Sequence, residues 1–239
     1  MATTHTYTYE LKDGTLLEVQ QDADVLGATV WDSSLVLAKY LEKQLPSLVT
    51  KGFSGSGTRS TPNTHVGPVR ILELGSGCGL LGLVASAIAN EATVVVSDVE
   101  KLHPILKLNT ERAANVQVKT LEWRSEDQCK ELGLSSPLPP DVEALLPVDV
   151  ILLADCVYDE SCFAPLNYTL KALCDKNPNT LVIMAYERRN FDKEVSFFKQ
   201  FGEHFRFRHV MEDDLDPRFK AVDEIYLFLA KRRSDKEDF

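Results

Sequence analysis

The sequence predicts an α/β fold: a doubly wound, mostly parallel sheet of seven strands with a β-hairpin ahead of it. Two observations carry that prediction. From residue 71 onward, short apolar runs alternate with amphipathic or Ala-rich stretches, the pattern of strands joined by crossover helices. The first of these runs leads directly into a glycine turn, Ile71-Leu72-Glu73-Leu74-Gly75-Ser76-Gly77-Cys78-Gly79-Leu80, with an Ala-rich helix over 80–89 behind it. Strand, glycine turn and helix bring a nucleotide-like ligand against the backbone N–H groups of a helix start. Glycine suits that turn because a side chain would block the close approach of the ligand.

With 239 residues and 44% hydrophobic composition, the chain can bury the core of one α/β domain spanning 1–239. Its first 30 residues read as an extension. Residues 6–11 alternate polar and apolar, Asp13-Gly14 offers a turn, and 15–20 return as a second strand. This hairpin suits a lid over the sheet edge or the wall of a substrate entrance. Trp31 follows, in Val30-Trp31-Asp32-Ser33, with a helix over 35–45 that Asp32 or Ser33 can cap. A tryptophan in that position usually belongs to the core, although it can also meet a ligand. Residues 51–67, rich in Gly, Ser, Thr and Pro, read as a flexible loop.

Beyond the glycine turn, the run Thr93-Val94-Val95-Val96-Ser97 makes a second sheet strand and ends in Asp98. An acid there, about 20 residues after the glycines, is placed to accept hydrogen bonds from ribose hydroxyls. A helix over 104–114 starts near Pro104, and a third strand over 116–122 precedes Trp123. The stretch 124–147 is polar, with one short helix over 126–132. The continuous apolar run 148–154 is typical of a central parallel strand and leads to Asp155 and Tyr158. Helix 162–173, strand 180–185, helix 191–201, strand 205–210 and strand 224–230 complete the alternation.

In a doubly wound sheet the strand ends converge on one crevice, so Gly75, Gly77, Asp98, Trp123, Asp155 and Tyr158 should meet there. Each also has an ordinary reading. Trp123 can flank a ring or plug a strand end, Asp155 can cap a helix, and Tyr158 can simply pack. The segment Tyr186-Glu187-Arg188-Arg189 lies where a substrate-facing loop should be, and reads first as an ion pair on a solvated face rather than as catalytic.

Composition narrows the function. A net charge of −10 disfavours a nucleic-acid partner and suits a basic protein target or plain solubility. No apolar run reaches the ~18 residues of a membrane span, and the first ten residues lack a signal-peptide pattern, so a cytoplasmic protein is expected. Five cysteines without a C-x-x-C pair suggest free thiols, and the histidines show no metal-ligand spacing. The tail 231–236 is basic but followed by acids, which suits solvent. Nothing demands an oligomer, so a monomer is expected.

The glycine spacing departs from the dinucleotide fingerprint, because Leu80 stands where the third glycine belongs. Glu73-x-Gly75-x-Gly77-x-Gly79 instead resembles the first motif of the class I methyltransferases, which use S-adenosyl-L-methionine. Asp155-Cys156-Val157-Tyr158 after an apolar strand resembles a motif of the seven-strand protein-lysine methyltransferases that modify non-histone proteins. Val30-Trp31-Asp32, Leu121-Glu122-Trp123 and Ala185-Tyr186-Glu187-Arg188-Arg189 agree with the same group, over about 11–231.

That resemblance implies helices on both sheet faces and an antiparallel seventh strand. It implies Trp31, Glu73, Gly75, Ser76, Gly77, Asp98, Trp123 and Ala154 as donor contacts, with Asp155 and Tyr158 bordering the target lysine. The acceptor it implies is a protein such as an AAA-type ATPase, an elongation factor or a chaperone. The long 51–67 loop departs from the group's pattern. A free lysine has a pKa of about 10.4, so its amine must lose a proton before it attacks an electrophilic methyl. A small-molecule methyltransferase shares the glycine motif and Asp98, and a non-catalytic donor-binding module would keep the fold without turnover.

Overall fold

The computed structural model describes residues 4–51, 67–219 and 224–233. Positions 52–66 of the expected loop and 234–236 of the basic tail lie outside the described residues. The chain opens with a hairpin of β1 (Thr4–Glu10) and β2 (Leu16–Asp22), paired antiparallel with Thr4 opposite Asp22. There follow α1 (Asp32–Lys51), β3 (Arg70–Leu74), α2 (Leu80–Ile88), β4 (Thr93–Asp98), α3 (His103–Thr110), β5 (Val116–Thr120) and α4 (Glu126–Glu131). The rest is α5 (Pro140–Glu143), β6 (Val150–Ala154), α6 (Phe163–Asp175), β7 (Leu181–Glu187), α7 (Phe191–His204), β8 (Phe205–His209) and β9 (Ile225–Arg232).

The main sheet has seven strands in the order β5-β4-β3-β6-β7-β9-β8. From β5 to β7 all pairings are parallel, and β9 slots antiparallel between β7 and β8. Chain order reverses between β3 and β6, which opens a crevice beyond the carboxyl ends of those strands.

Successive strand residues point to opposite faces, and the sequence fills both. Ile71, Val94, Val96, Val150 and Leu152 pack with Leu37 and Leu41 of α1 and Leu81 and Val84 of α2. Leu72, Val95, Ile151, Leu153 and Val182 pack on the other face with Leu166 and Leu170 of α6 and Phe197 and Phe201 of α7. Cover on both sides explains why β6 is an unbroken apolar run.

Several boundaries differ from the sequence reading, for local reasons. The first intrahelical bonds of α1 run from Ser34 and Leu35 N–H to the Trp31 carbonyl, so Asp32 and Ser33 lie inside the first turn and do not cap it. Asp32 there meets the positive end of the helix dipole. Helix α3 stops at Thr110, because the bonds Ala113 N–H to Thr110 C=O and Val116 N–H to Ala113 C=O turn the chain into β5. Strand β5 ends at Thr120, level with the last residue of its neighbour β4. The one-turn α5 sits in the stretch expected to be irregular, with Pro140 in its first turn and Val142 buried.

The hairpin packs on one face of the main sheet. Its Tyr9, Leu11 and Val19 are buried in the cluster that also holds α1 and α2. Asn109 of α3 clamps it: the side chain accepts from Gln20 N–H at 2.8 Å and donates to the Gln20 carbonyl at 2.9 Å and the Cys78 carbonyl at 2.7 Å. One amide thus ties the hairpin to the glycine turn. Among the described residues no helix is long and apolar enough to cross a membrane.

Replacing Asn109 with Ala leaves those backbone groups without their partner. The expected cost is about 1–3 kcal/mol of stability, read by urea unfolding, with faster hydrogen exchange at the Gln20 amide.

Candidate active site

The register of the sheet brings its strand ends level. Leu74 lies opposite Ser97 and Leu153, Asp98 opposite Thr120, and Ala154 opposite Ala185. The glycine turn leaves β3 at that level with Gly75 at φ 60° and Gly77 at φ 56°, a conformation that favours glycine. Space requires glycine too. A Cβ on Gly77 would come within 2.3 Å of the Gly27 carbonyl oxygen, and one on Gly75 within 2.8 Å of Cys156 Sγ.

Three polar side chains hold this turn. Glu73 is buried, and its Oε2 accepts from Gly82 N–H of α2 at 2.9 Å. Burial pushes its carboxyl up to about 8, although hydrogen bonds from Ser76 and Gly82 pull the other way. Ser76 Oγ accepts from Ser97 N–H at 2.9 Å, stitching the turn to β4. Asp98 accepts from Gly77 N–H at 2.8 Å and from Val99 N–H at 2.7 Å, one bond on each oxygen. Each oxygen retains a lone pair for a ligand hydroxyl. Desolvation nevertheless raises the Asp98 pKa, so the site favours a ligand that donates to this carboxylate.

Above the turn lies a cavity of about 680 Å³, the size of a small-molecule site. Trp31, Glu73, Gly75, Ser76, Gly77, Asp98, Trp123, Ala154, Asp155 and Tyr158 all line it. The six residues expected to converge, Gly75, Gly77, Asp98, Trp123, Asp155 and Tyr158, are therefore together in space. Trp31 departs from the core reading: it is 43% exposed and stands at the cavity wall. Trp123 lies over the glycine turn, its ring 3.1 Å from where a Gly75 Cβ would be.

At the other end the chain leaves β6 through Asp155, which takes φ 58°, and whose N–H donates to the Ala185 carbonyl at 3.0 Å. A non-glycine residue held in that region stores strain, which proteins concentrate at functional sites. Asp155 is not a helix cap; Asp159 is the residue that caps the following helical turn, through Ser161 N–H. The Tyr158 ring is half-exposed, and burial of its hydroxyl with neighbouring thiols and carboxylates pushes its pKa up to about 12. It stays a neutral donor and acceptor near pH 7.

Arg189 fits the reading of its segment as a loop facing the substrate, and departs from the solvated ion pair read for that segment first. Only Arg188 makes an outward ion pair, with Glu224. Arg189 instead turns into the cavity and grips Asp155 with two bonds of 2.6 Å, adds Glu187 at 2.8 Å, and lies 5.8 Å from the Trp31 ring. Strand alternation cannot sort the two arginines, because β7 ends at Glu187. Gly27 and Cys156, which pack against the glycine turn, carried no signal of that role in the sequence either.

Carboxylates at one end of the cavity and aromatics at its mouth suit a ligand with hydroxyl and cationic groups. A family model for lysine methyltransferase matches residues 11–204, most of the chain. The chain belongs to the lysine methyltransferase family. Protein-lysine N-methyltransferase EFM6 of Saccharomyces cerevisiae is 34% identical over 191 residues, covering 75% of this chain and 70% of that protein. Protein N-lysine methyltransferase METTL21A of Xenopus tropicalis is 28% identical over 229 residues, 92% of this chain and 86% of the relative. Among solved structures, an S-adenosylmethionine-dependent methyltransferase of Agrobacterium tumefaciens superposes with a TM-score of 0.54 at 14% identity. That match covers 96% of this chain and 70% of the other, and shows the shared fold. The chain is a protein-lysine N-methyltransferase, and its methyl donor is S-adenosylmethionine.

Two outcomes follow for this lysine methyltransferase. Gly77→Ala adds a Cβ into the Gly27 carbonyl at an unfavourable φ, so donor affinity should fall at least tenfold by calorimetry. Glu73 has its folded pKa raised above its unfolded value, so the folded state binds the extra proton between about 4.5 and 8. Stability without donor is therefore expected to fall as pH rises through that window, and Glu73→Gln should flatten the dependence in thermal unfolding.

Proposed function

We propose that the glycine-turn end of the cavity holds S-adenosylmethionine and that the target lysine reaches it past Asp155 and Tyr158. The carrying observation is convergence: all ten residues line one cavity, although they come from five separated stretches of chain. The Asp98 oxygens, each with a lone pair left, would accept the ribose hydroxyls. Gly75, Ser76 and Gly77 offer a close backbone, and Trp123, Trp31 and Ala154 flank the ligand. A cationic group of the donor near Glu73 would reverse the effect of burial on that carboxyl.

Bound here, S-adenosylmethionine supplies a methyl group that is already electrophilic. The chain's own residues then have one main task, to hold a neutral amine in the right place. Asp155 can accept from the amine with a lone pair that Arg189 leaves open. The Tyr158 ring walls the channel, and its neutral hydroxyl offers a second hydrogen bond. No side chain is needed as a dedicated base, because the lysine proton can leave to water at the open mouth.

The acceptor we propose is a non-histone protein, of the AAA-type ATPase or elongation-factor-one-alpha kind, met in the cytoplasm. The Asp155–Tyr158 motif and the similarity to two protein-lysine methyltransferases support it.

The test incubates purified protein with methyl-labelled donor and a desalted cell extract, and locates label by mass spectrometry. Methyl-lysine in one or a few proteins is expected; label confined to small molecules would overturn the reading. Asp155→Asn, which tolerates a positive φ, should slow transfer on the order of a hundredfold while donor affinity stays within a few-fold. Loss of donor binding instead would make Asp155 a donor contact.

A further inference from the structure

We infer that Arg189 is a positioning residue for the target lysine: it offsets the carboxylates at the cavity mouth so that the lysine arrives as a neutral amine. The inference rests on the proposed path of the lysine past Asp155.

The mouth carries more negative than positive charge. Asp155 and Glu122 line the cavity, Glu187 meets Arg189 beside it, Glu194 stands behind on α7, and Asp98 and Asp159 act on Tyr158 from the glycine-turn side and the following loop. The thiols of Cys156 and Cys162 also face Tyr158. Against these stand Lys101, which lines the cavity and acts on Asp98, and Arg189, which meets Asp155 through a two-pronged guanidinium contact and reaches Glu187 with the same fork.

Its placement is built in from behind. Buried Glu194 accepts from Arg189 N–H at 3.1 Å and Asn190 N–H at 2.9 Å, and the Tyr186 hydroxyl donates to its other oxygen. Asn190 caps α7 through Lys193 N–H. The backbone of Arg189 is thus pinned while its side chain spans from Asp155 toward the Trp31 ring.

A carboxylate pair with no cation beside it would hold an incoming lysine as ammonium, which has no lone pair to attack with. With Arg189 in place, Asp155 can still orient the amine, and the local charge favours its protonated form less than the carboxylates alone would. The proton lost by the lysine goes to solvent. The arginine is also poorly suited to leave: a primary ammonium makes one point contact where the guanidinium makes two parallel bonds.

The experiment measures initial rates of methyl-lysine formation from pH 6.5 to 9.5, with saturating labelled donor and desalted cell extract as acceptor. Arg189→Gln should move the rising limb up by about one pH unit, with roughly tenfold loss at pH 7 regained at higher pH. Arg189→Lys keeps the charge and should keep the wild-type midpoint. Glu187→Gln removes a negative charge and should move the limb down. In donor-free protein, the Arg189→Gln/Asp155→Asn double variant should melt no lower than the weaker single variant. Calorimetric donor affinity is followed in each variant.

Rate losses by Arg189→Gln that are equal at every pH would overturn the inference. So would faster transfer at pH 7, which would make Arg189 a latch over Asp155. Shifts of the same sign in Arg189→Gln and Glu187→Gln would also refute it. If wild-type protein transfers no methyl to protein lysine, the proposed lysine path itself falls, a result separate from any shift among variants.

Discussion

The glycine turn is closed in by backbone: the Gly27 carbonyl oxygen lies where a Gly77 side chain would begin. Everything around the cavity follows from how the glycine turn is held. The hairpin and its trailing segment press on it from one side, Cys156 and Trp123 from the other, and Asn109 links hairpin, helix and turn through one side chain. Glu73, Ser76 and Asp98 use their hydrogen bonds largely on the scaffold. For a donor bound as proposed, recognition would fall to a backbone held rigid and to the lone pairs that remain.

The N-terminal hairpin is consequently part of the site. It adds no strand to the main sheet, yet it supplies the buried wall behind the turn. The antiparallel β9 has a similar indirect role. It pairs with β7 along Val182 to Glu187 and so fixes the strand from which the Arg189 segment emerges. An edge strand left free would twist and loosen that end, whereas a strand paired on both sides holds its direction.

Charge is distributed unevenly along the cavity. At the glycine-turn end, the buried Glu73 and the part-buried Asp98 are raised by desolvation, an arrangement that favours hydroxyl donors and cations. At the mouth, Asp155 is already matched by a fork of arginine bonds. One end invites positive charge and the other has its negative charge partly offset. This polarity gives the two ends different ligands to suit, although both are lined by acids.

Much of the architecture was legible in the chain alone. Apolar runs of strand length, the glycine turn after Leu74 and the acid at Asp98 are local patterns, each set by backbone geometry and by which face must be buried. Because parallel strands end level, those patterns also foretold which residues would share a cavity. Helix and strand ends were less legible, since Trp31 rather than Asp32 or Ser33 holds the cap position of α1 and Thr110 ends α3 through turn bonds.

What only the tertiary structure decided were contacts between segments distant in sequence. Gly27 against Gly77, Asn109 against Gln20, and Arg189 rather than Arg188 against Asp155 have no periodic signature. Neighbouring arginines have the same propensities and the same charge. Which one enters the cavity depends on where Glu194 and Glu224 pin the loop, and those positions exist only once the helix and the last strand have packed. Repeating burial patterns gave the chain its layers, while one-off contacts between layers gave the site its charge.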